Sequence, residues 1–208
     1  LVSEHVITKT LKKNGIAKRT ASECNRKYYL NEHYFDNIDN QNKAYLLGML
    51  FADGCNHTDH YAITLSLQEC DYDVVHFMKC ELEYEGPIAF IDMKRKNQKW
   101  ENQYKLCVNN EHMSKKLNDL GVVNAKSLFL KFPQWLDESL YQHFIRGYFD
   151  GDGCIYYNKK MQKCTTDLVG TKDMCENISR ILHDIGIKNH IAHNKHWSDN
   201  TFSVRTAG

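Results

Sequence analysis

The chain carries an internal duplication, which constrains its architecture more than any other feature of the sequence. Residues 46–55 have the sequence LLGMLFADGC and residues 145–154 have the sequence IRGYFDGDGC, so that Gly, Asp, Gly and Cys recur in the same order. The elements that we predict after the two copies also recur in the same order. A repeat of this kind predicts two related halves, each built on one copy of the motif.

Hydrophobic periodicity predicts the elements that follow each copy. Alternating apolar residues favour strands, whereas apolar residues three and four positions apart favour helices. In the first half we predict a strand at 61–67, a helix at 72–84, strands at 88–95 and 103–109, and a helix at 112–120 that stops at Gly121. In the second half we predict a strand at 164–169, a helix at 173–185, and strands at 189–197 and 201–206. Because the sequence then ends, we expect a second half that is truncated at its C-terminus.

The first copy of the motif is expected to form a helix from Gln41 to Ala52. Asp39 or Asn40 is expected to cap its start, because a side-chain oxygen there can accept hydrogen bonds from the first turn. At its end we expect Gly54 in the left-handed conformation, which Gly adopts without strain.

Small residues four positions apart lie on one face of each motif helix. They are Gly48 and Ala52 in the first copy, and Gly147 and Gly151 in the second. Gly in an ordinary surface helix costs about 1 kcal/mol relative to Ala, so its presence here requires a reason. Paired small residues let two backbones approach closely. We therefore predict that the motif helices pack against each other across a pseudo-twofold axis.

An aspartate, Asp53 or Asp152, lies in the last turn of each motif helix. The helix dipole disfavours a carboxylate there by about 0.3–1 kcal/mol, and packing of the helices would make the two carboxylates repel each other. A divalent cation would offset both costs, since Mg²⁺ prefers carboxylate, carbonyl and water oxygens. Such an ion can activate water and stabilise the leaving oxygen of a phosphodiester. The plainer alternative is that Asp-Gly simply ends each helix, but the match between the two copies favours a metal site.

With both motifs on one chain, the sequence resembles the LAGLIDADG homing endonucleases over roughly residues 39–208. Residues 46–54 and 145–153 occupy the nine positions of the family's motif. The resemblance implies an α+β fold in which two pseudo-symmetric αββαββ halves form a saddle that straddles DNA. It also implies a monomer that makes double-strand breaks in a long asymmetric site of double-stranded DNA. The implied cofactor is Mg²⁺ or another divalent cation such as Mn²⁺.

The resemblance assigns roles to individual residues. It implies that Asp53 and Asp152 are catalytic and bind metal, with the backbone carbonyls of Ala52 and Gly151 as further ligands. Lys126 is the best match to a lysine that the family places near the site, and a solvated loop charge is an equal alternative for it.

Strand alternation predicts which side chains face DNA. Since Ile63, Leu65 and Leu67 must point at the helices, the polar residues between them point away. Polar side chains on such a face can contact base edges, while Lys and Arg mainly contact phosphates. The residues that we expect at the DNA are Thr64, Ser66, Gln68, Arg95, Lys99, Gln103, Lys105, Thr166, Ser203 and Arg205.

We divide the chain into a basic, DNA-binding-like N-terminal segment with a linker at 1–38, a first half at 39–131 and a second half at 132–208. A helix predicted from Ser3 to Asn14 resembles the recognition helix of a partial helix-turn-helix. For residues 16–38 two alternatives stay open. They are either a basic linker that follows phosphates or an arm packed on the domain.

Two other functions are compatible with the resemblance. A nuclease-dead DNA-binding regulator is one, although such proteins typically lose the acidic residues that are present here. An RNA-binding intron maturase is the other, and nothing in the sequence separates it from an enzyme that cuts DNA. The net charge of +1 decides nothing, although an acidic stretch at 44–85 lies beside a basic one at 86–131.

No apolar run approaches the roughly 20 residues that span a bilayer, and we find no secretion signal. We therefore expect an intracellular protein with no membrane partner. The eight cysteines form no C-x-x-C pair and are expected to be reduced packing residues. Zinc binding by His57 with His60, or by His190, His193 and His196, is an alternative that the spacing supports only weakly.

Overall fold

A computed structural model describes residues 3–18, 27–124, 129–159, 162–194 and 198–207. Its helices are α1 (Glu4–Lys13), α2 (Gln41–Ala52), α3 (Tyr72–Glu81), α4 (Glu111–Leu120), α5 (Tyr141–Asp152) and α6 (Lys172–Asp184). Its strands are β1 (Gly54–His57), β2 (Ala62–Gln68), β3 (Ala89–Ile91), β4 (Gln103–Asn109), β5 (Gly153–Asn158), β6 (Lys163–Gly170), β7 (Asn189–His193) and β8 (Phe202–Ala207). Short 3₁₀ helices lead directly into α3 and α5.

The strands form two four-stranded antiparallel sheets, one after each motif helix. The first sheet has the strand order β1-β2-β4-β3 and the second has the order β5-β6-β8-β7, so the second repeats the topology of the first. The predicted α+β fold of two pseudo-symmetric halves is therefore confirmed.

The motif helices α2 and α5 pack directly against each other and join the two halves. A Cβ atom on Gly48 would lie 2.1 Å from the carbonyl oxygen of Phe144, which is too close for any real contact. Gly147 makes the reciprocal approach to α2. Beside this contact the rings of Phe51 and Phe144 pack edge to face, with centroids 5.1 Å apart. The two backbones touch at the glycines, and aromatic side chains fill the space next to them.

The first motif helix begins as expected but ends differently. The Asn40 side chain caps it by accepting hydrogen bonds of 3.0 and 3.1 Å from two backbone N–H groups of the first turn. The left-handed conformation predicted for Gly54 is wrong, because Asp53 ends the helix at φ −97° and ψ −8° and Gly54 starts β1 directly. Glycine is needed there for close packing instead, since a Cβ atom would lie 2.6 Å from Leu50 Cδ2.

The remaining elements lie near their predicted places, with informative exceptions. The helix Gln41–Ala52 and the strand Gln103–Asn109 have the predicted bounds. The strand predicted at 88–95 is confined to Ala89–Ile91, because turns occupy the residues after it. Periodicity did not identify β1 and β5. The sequence of β1, GCNH, has no apolar alternation, and β5 leaves Ile155 63% exposed rather than burying it.

Residues 27–38 form an arm that packs into the first half, and we call them the N-terminal arm. Leu30, Tyr34 and Phe35 are buried in the core. The backbone N–H of Asn31 donates to the carbonyl of Leu82 at 2.9 Å. For these residues the packed arm, and not the phosphate-tracking linker, is the alternative that the structure favours.

The helix predicted near the N-terminus is present as α1, which has no buried residue. Its cap is followed by Gly15, whose φ of +66° is the left-handed value that favours glycine. No helix in the described part of the chain has the length and apolar character needed to cross a membrane.

Candidate functional site

The two motif aspartates lie at corresponding ends of the packed helices. Asp53 directly follows α2, and Asp152 is the last residue of α5. Both residues are exposed. A Cβ atom on Gly151 would lie 2.4 Å from Ala52 Cβ and 2.9 Å from Asp53 Oδ2, so the first carboxylate lies against the residue that precedes Asp152. The structure thus brings the four residues predicted for the metal site to one end of the helix contact.

The charge of Asp152 acts on a buried tyrosine beneath it. Tyr148 is 1% exposed, and its hydroxyl donates a 3.0 Å hydrogen bond to the carbonyl oxygen of Val169. Burial, and then the negative charge of Asp152, raise the pKa of Tyr148 well above its usual value. Tyr148 is therefore a neutral phenol at any physiological pH, and it supports α5 without adding charge to the site.

A cleft of about 620 Å³ opens beside Asp53 and is lined by oxygen-bearing side chains from both halves. Its three carboxylates are Asp53, Asp71 and Asp150, and its polar strand residues are Ser66, Gln68 and Gln103. The acidic end of the motif helices is thus continuous with side chains that we predicted to face DNA.

Asp150 is held at this cleft by a hydrogen bond from Tyr45, a contact that sequence reasoning missed. The Tyr45 hydroxyl donates to Asp150 Oδ2 at 2.9 Å, and the Arg146 guanidinium lies 4.7 Å from the centroid of the Tyr45 ring. Burial, and then the hydrogen bond to Asp150, raise the pKa of Tyr45. The equivalent residue of the first motif, Phe51, is 1% exposed and belongs to the core. The Asp-for-Phe difference is visible in the sequence, but the partners of Asp150 are not.

The first sheet has the predicted strand register. Ile63 and Leu65 are buried on one face, and the polar residues alternate with them on the other. The Ser66 hydroxyl donates to Gln103 Oε1 at 3.0 Å, which links β2 to β4 on the polar face. Thr64 lies on this face but is buried, with 8% of its surface exposed, so its predicted exposure is wrong. The other residues predicted there are at least partly exposed: Gln68, Arg95, Lys99 and Lys105.

In the second sheet Arg205 forms an ion pair that was not predicted. Its Nε donates to Asp167 Oδ2 at 2.8 Å across β6 and β8. Ser203 lies two residues away on the same strand but is fully buried, so its predicted exposure is wrong. Among the described residues, neither Ser203 Oγ nor the second oxygen of Asp167 has a hydrogen-bond partner.

For Thr166 the predicted face is wrong. Its side chain, like that of Leu168, lines an apolar groove of about 400 Å³ beside α5 and α6, and its hydroxyl lies 2.6 Å from the hydroxyl of Thr206. Residues two apart on a strand share a face, so Thr166 must point the same way as Leu168. Three successive polar residues at 165–167 hide this alternation in the sequence.

The remaining predictions concern a lysine, several histidines and the cysteines. Lys126 and His196 fall outside the described residues. His57 and His60 stack with ring centroids 5.4 Å apart but belong to no three-residue metal cluster among the described residues. The described cysteines are free, as predicted, but most are exposed rather than packed. Cys175 is the buried exception, and burial raises the pKa of its thiol to about 12.

Comparisons with known proteins agree with this architecture. Residues 139–207 match the model of the LAGLIDADG-like domain. An alignment over 95 residues, which covers 43% of the chain, is 35% identical to reverse gyrase of Methanocaldococcus jannaschii and spans only 6% of that protein.

Solved structures with a similar fold share little sequence with the chain. The homing endonuclease I-WcaI bound to its DNA recognition sequence has a TM-score of 0.60 and 14% identity, with coverage of 94% of this chain and 87% of that one. The I-LtrWI LAGLIDADG homing endonuclease bound to target DNA has a TM-score of 0.53 and 12% identity, with coverage of 86% and 80%. A variant of I-DmoI in complex with its target DNA and Mn has a TM-score of 0.51 and 16% identity, with coverage of 80% and 86%. Residues 139–207 therefore resemble the LAGLIDADG-like domain, and the chain as a whole has the fold of solved single-chain LAGLIDADG homing endonucleases.

Proposed function

We propose that this protein is a site-specific endonuclease that makes metal-dependent double-strand breaks in a long, asymmetric DNA site. The observation that carries the proposal is the meeting of Asp53 with the second motif at Gly151, next to Asp152. Two carboxylates at the ends of two packed helices repel each other and oppose both helix dipoles, so a bound cation would stabilise the arrangement. Similar solved structures are homing endonucleases bound to DNA, one of them with Mn.

The residues present suit a hard divalent cation such as Mg²⁺ or Mn²⁺. Carboxylate oxygens of Asp53 and Asp152 and the backbone carbonyls of Ala52 and Gly151 would supply oxygen ligands, and the exposure of both aspartates leaves room for water and phosphate. When bound, the cation would activate water and neutralise charge on the departing phosphodiester oxygen. In this scheme the chain's own residues hold the metal next to the scissile phosphates. Lys126 is proposed as a nearby positive charge.

The polar faces of the two sheets are proposed to contact the major groove. In the first half Ser66, Gln68 and Gln103 line the cleft that contains Asp53, so base contacts there would adjoin the proposed metal site. In the second half Arg205, oriented by Asp167, is the strongest candidate for a base or phosphate contact.

The two halves present different side chains, which supports an asymmetric target. The most direct difference is Phe51 in the core against Asp150 in the cleft. Because both motifs lie on one chain and pack on each other, one molecule would supply both aspartates. We therefore propose that the enzyme acts as a monomer.

The activity can be tested without knowledge of the target. The protein is incubated with a library of long randomised DNA duplexes in Mg²⁺ or Mn²⁺, and cut ends are sequenced. We expect cleavage at one long consensus without twofold symmetry, and none when a chelator replaces the metal. Selective binding of duplexes without any cut ends in either metal would contradict the proposal and indicate a DNA-binding regulator. Binding confined to structured RNA would contradict it in favour of a maturase.

A further inference from the structure

Two histidines and an aspartate meet where the N-terminal arm contacts α4, away from the motif aspartates. His33 and Asp36 belong to the arm, and His112 lies in the first turn of α4. The distance from His33 Nδ1 to Asp36 Oδ2 is 2.7 Å, and that from His112 Nε2 to Asp36 Oδ1 is 2.6 Å. One ligand atom from each residue lies within 4.8 Å of the other two. The two imidazole rings are also in contact, with centroids 4.6 Å apart.

The backbone that carries these side chains is fixed on both sides. Phe35, between the two arm residues, is 0% exposed and anchors the arm in the core. Asn110, the N-cap of α4, donates from its side-chain amide to Glu32 of the arm at 2.7 Å. The side chains of His33 and His112 are themselves 68% and 46% exposed, so they can rotate without disturbing the core. Anchored backbones with exposed imidazoles are well suited to enclosing a small ligand.

We propose that His33, Asp36 and His112 bind one divalent transition-metal ion of the zinc class. Two imidazole nitrogens and a carboxylate oxygen are ligands that Zn²⁺ prefers, and water can complete a tetrahedral site. With bonds of about 2.0–2.1 Å, the ligand atoms of such a site are about 3.3 Å apart. Small rotations of the exposed side chains suffice to reach that spacing from separations within 4.8 Å. Mg²⁺ is excluded by its preference for oxygen ligands.

The ion would fasten the arm to α4, joining residues 76 positions apart in the chain. The unfolded chain cannot offer this ligand set, so the ion stabilises the folded state by mass action.

Cobalt(II) is a suitable probe, because it replaces zinc in such sites and absorbs visible light when tetrahedral. The protein is titrated with Co²⁺ in excess Mg²⁺, which would occupy the site proposed at Asp53 and Asp152. We expect one equivalent of tetrahedral Co²⁺ that Zn²⁺ displaces. We also expect Zn²⁺ at about 100 times its Kd to raise the Tm by several degrees.

Variants of the ligands decide between this site and any other. His33→Ala and His112→Ala should each abolish the cobalt spectrum and the zinc-dependent Tm shift. His76→Ala, which removes an exposed histidine of α3 outside the cluster, should preserve both. If His112→Ala fails to fold, His112→Asn, which keeps a hydrogen-bond donor near Asp36, replaces it. The absence of cobalt binding in wild type, or binding that survives loss of either histidine, would overturn the proposal. Neither readout depends on DNA cleavage.

Discussion

Gly147 of one motif helix touches the main chain of Tyr45 in the other, because a Cβ atom at Gly147 would lie 1.9 Å from the Tyr45 carbonyl oxygen. Atoms at that distance overlap, so glycine alone lets the helices come this close. The same approach sets the separation of the helix ends that carry Asp53 and Asp152. The glycine contact is thus the structural basis of the shared metal site that we propose.

Adding bulk at this contact should therefore unfold the protein before it affects chemistry. We predict that Gly147→Leu lowers the free energy of unfolding by about 1–3 kcal/mol or more, since backbone atoms cannot move aside as a flexible side chain can. Gln142→Leu places the same leucine side chain at an exposed position of the same helix and should change stability by less than about 0.5 kcal/mol. Urea denaturation of both variants gives the comparison. A Gly147→Leu protein as stable as wild type would show that the helices do not meet there.

The second prediction concerns the two faces of the second sheet, where Thr166 points toward the helices and Arg205 pairs with Asp167 on the other face. Arg205→Ala should change the base preference or affinity of the second half, with a loss of about 1–3 kcal/mol if the guanidinium contacts a base. Thr166→Val should leave the preference unchanged, because Thr166 points toward the helices. The cleavage profile of each variant on the randomised library measures the effect. A changed profile for Thr166→Val beside an unchanged one for Arg205→Ala would reverse the assignment of the two faces.

Alkaline pH should destabilise the fold through its buried tyrosines. Burial is the largest cause of the raised pKa of Tyr34, Tyr45 and Tyr148, so the folded state holds these protons more tightly than the unfolded chain does. Stability should be unaffected by them below about pH 10, the pKa of an unperturbed tyrosine, and fall as the pH rises above it. The fall approaches about 1.4 kcal/mol per pH unit for each tyrosine.

Denaturation at pH 8 to 10.5 tests this dependence. Tyr148→Phe should make the decline shallower, at a cost of about 1 kcal/mol at neutral pH for the lost hydrogen bond to Val169. Tyr29→Phe, at an exposed position, should keep the wild-type slope. Identical slopes for Tyr148→Phe and wild type would contradict the account.

The parts of the fold that the sequence predicted are those with strong local patterns. The start of α2 follows from its capping residue Asn40, the bounds of β4 follow from alternating apolar residues, and the packing of α2 on α5 follows from Gly48 and Gly147. By contrast, β1 has no apolar alternation that would reveal it in the sequence. Its position is set by the tight packing of Gly54 against Leu50. The burial of the N-terminal arm also lacks a local signal, since its apolar side chains have no regular period and are ordered by contacts distant in sequence.

The candidate site likewise contains residues that the sequence predicts and contacts that it does not. The aspartates and the small residues beside them are repeated in the sequence and could be named from it. Asp150 was visible as a departure between the copies, but the contacts of Tyr45 with Asp150 and Arg146 form only when the two motif helices pack together. The pair of Asp167 with Arg205, and the cluster of His112 with the arm, join residues whose proximity no spacing encodes.

The most direct test of the proposed function compares binding with cleavage in Asp53→Asn and Asp152→Asn. Each change keeps the size of the side chain and removes the charge that would hold the cation. We predict that cleavage of the selected site in Mg²⁺ falls at least about 100-fold in either variant, while DNA affinity stays within a few-fold of wild type. Asp184→Asn, at the far end of α6, should cleave normally. Cleavage at the wild-type rate by either motif variant would contradict the assignment of the active site.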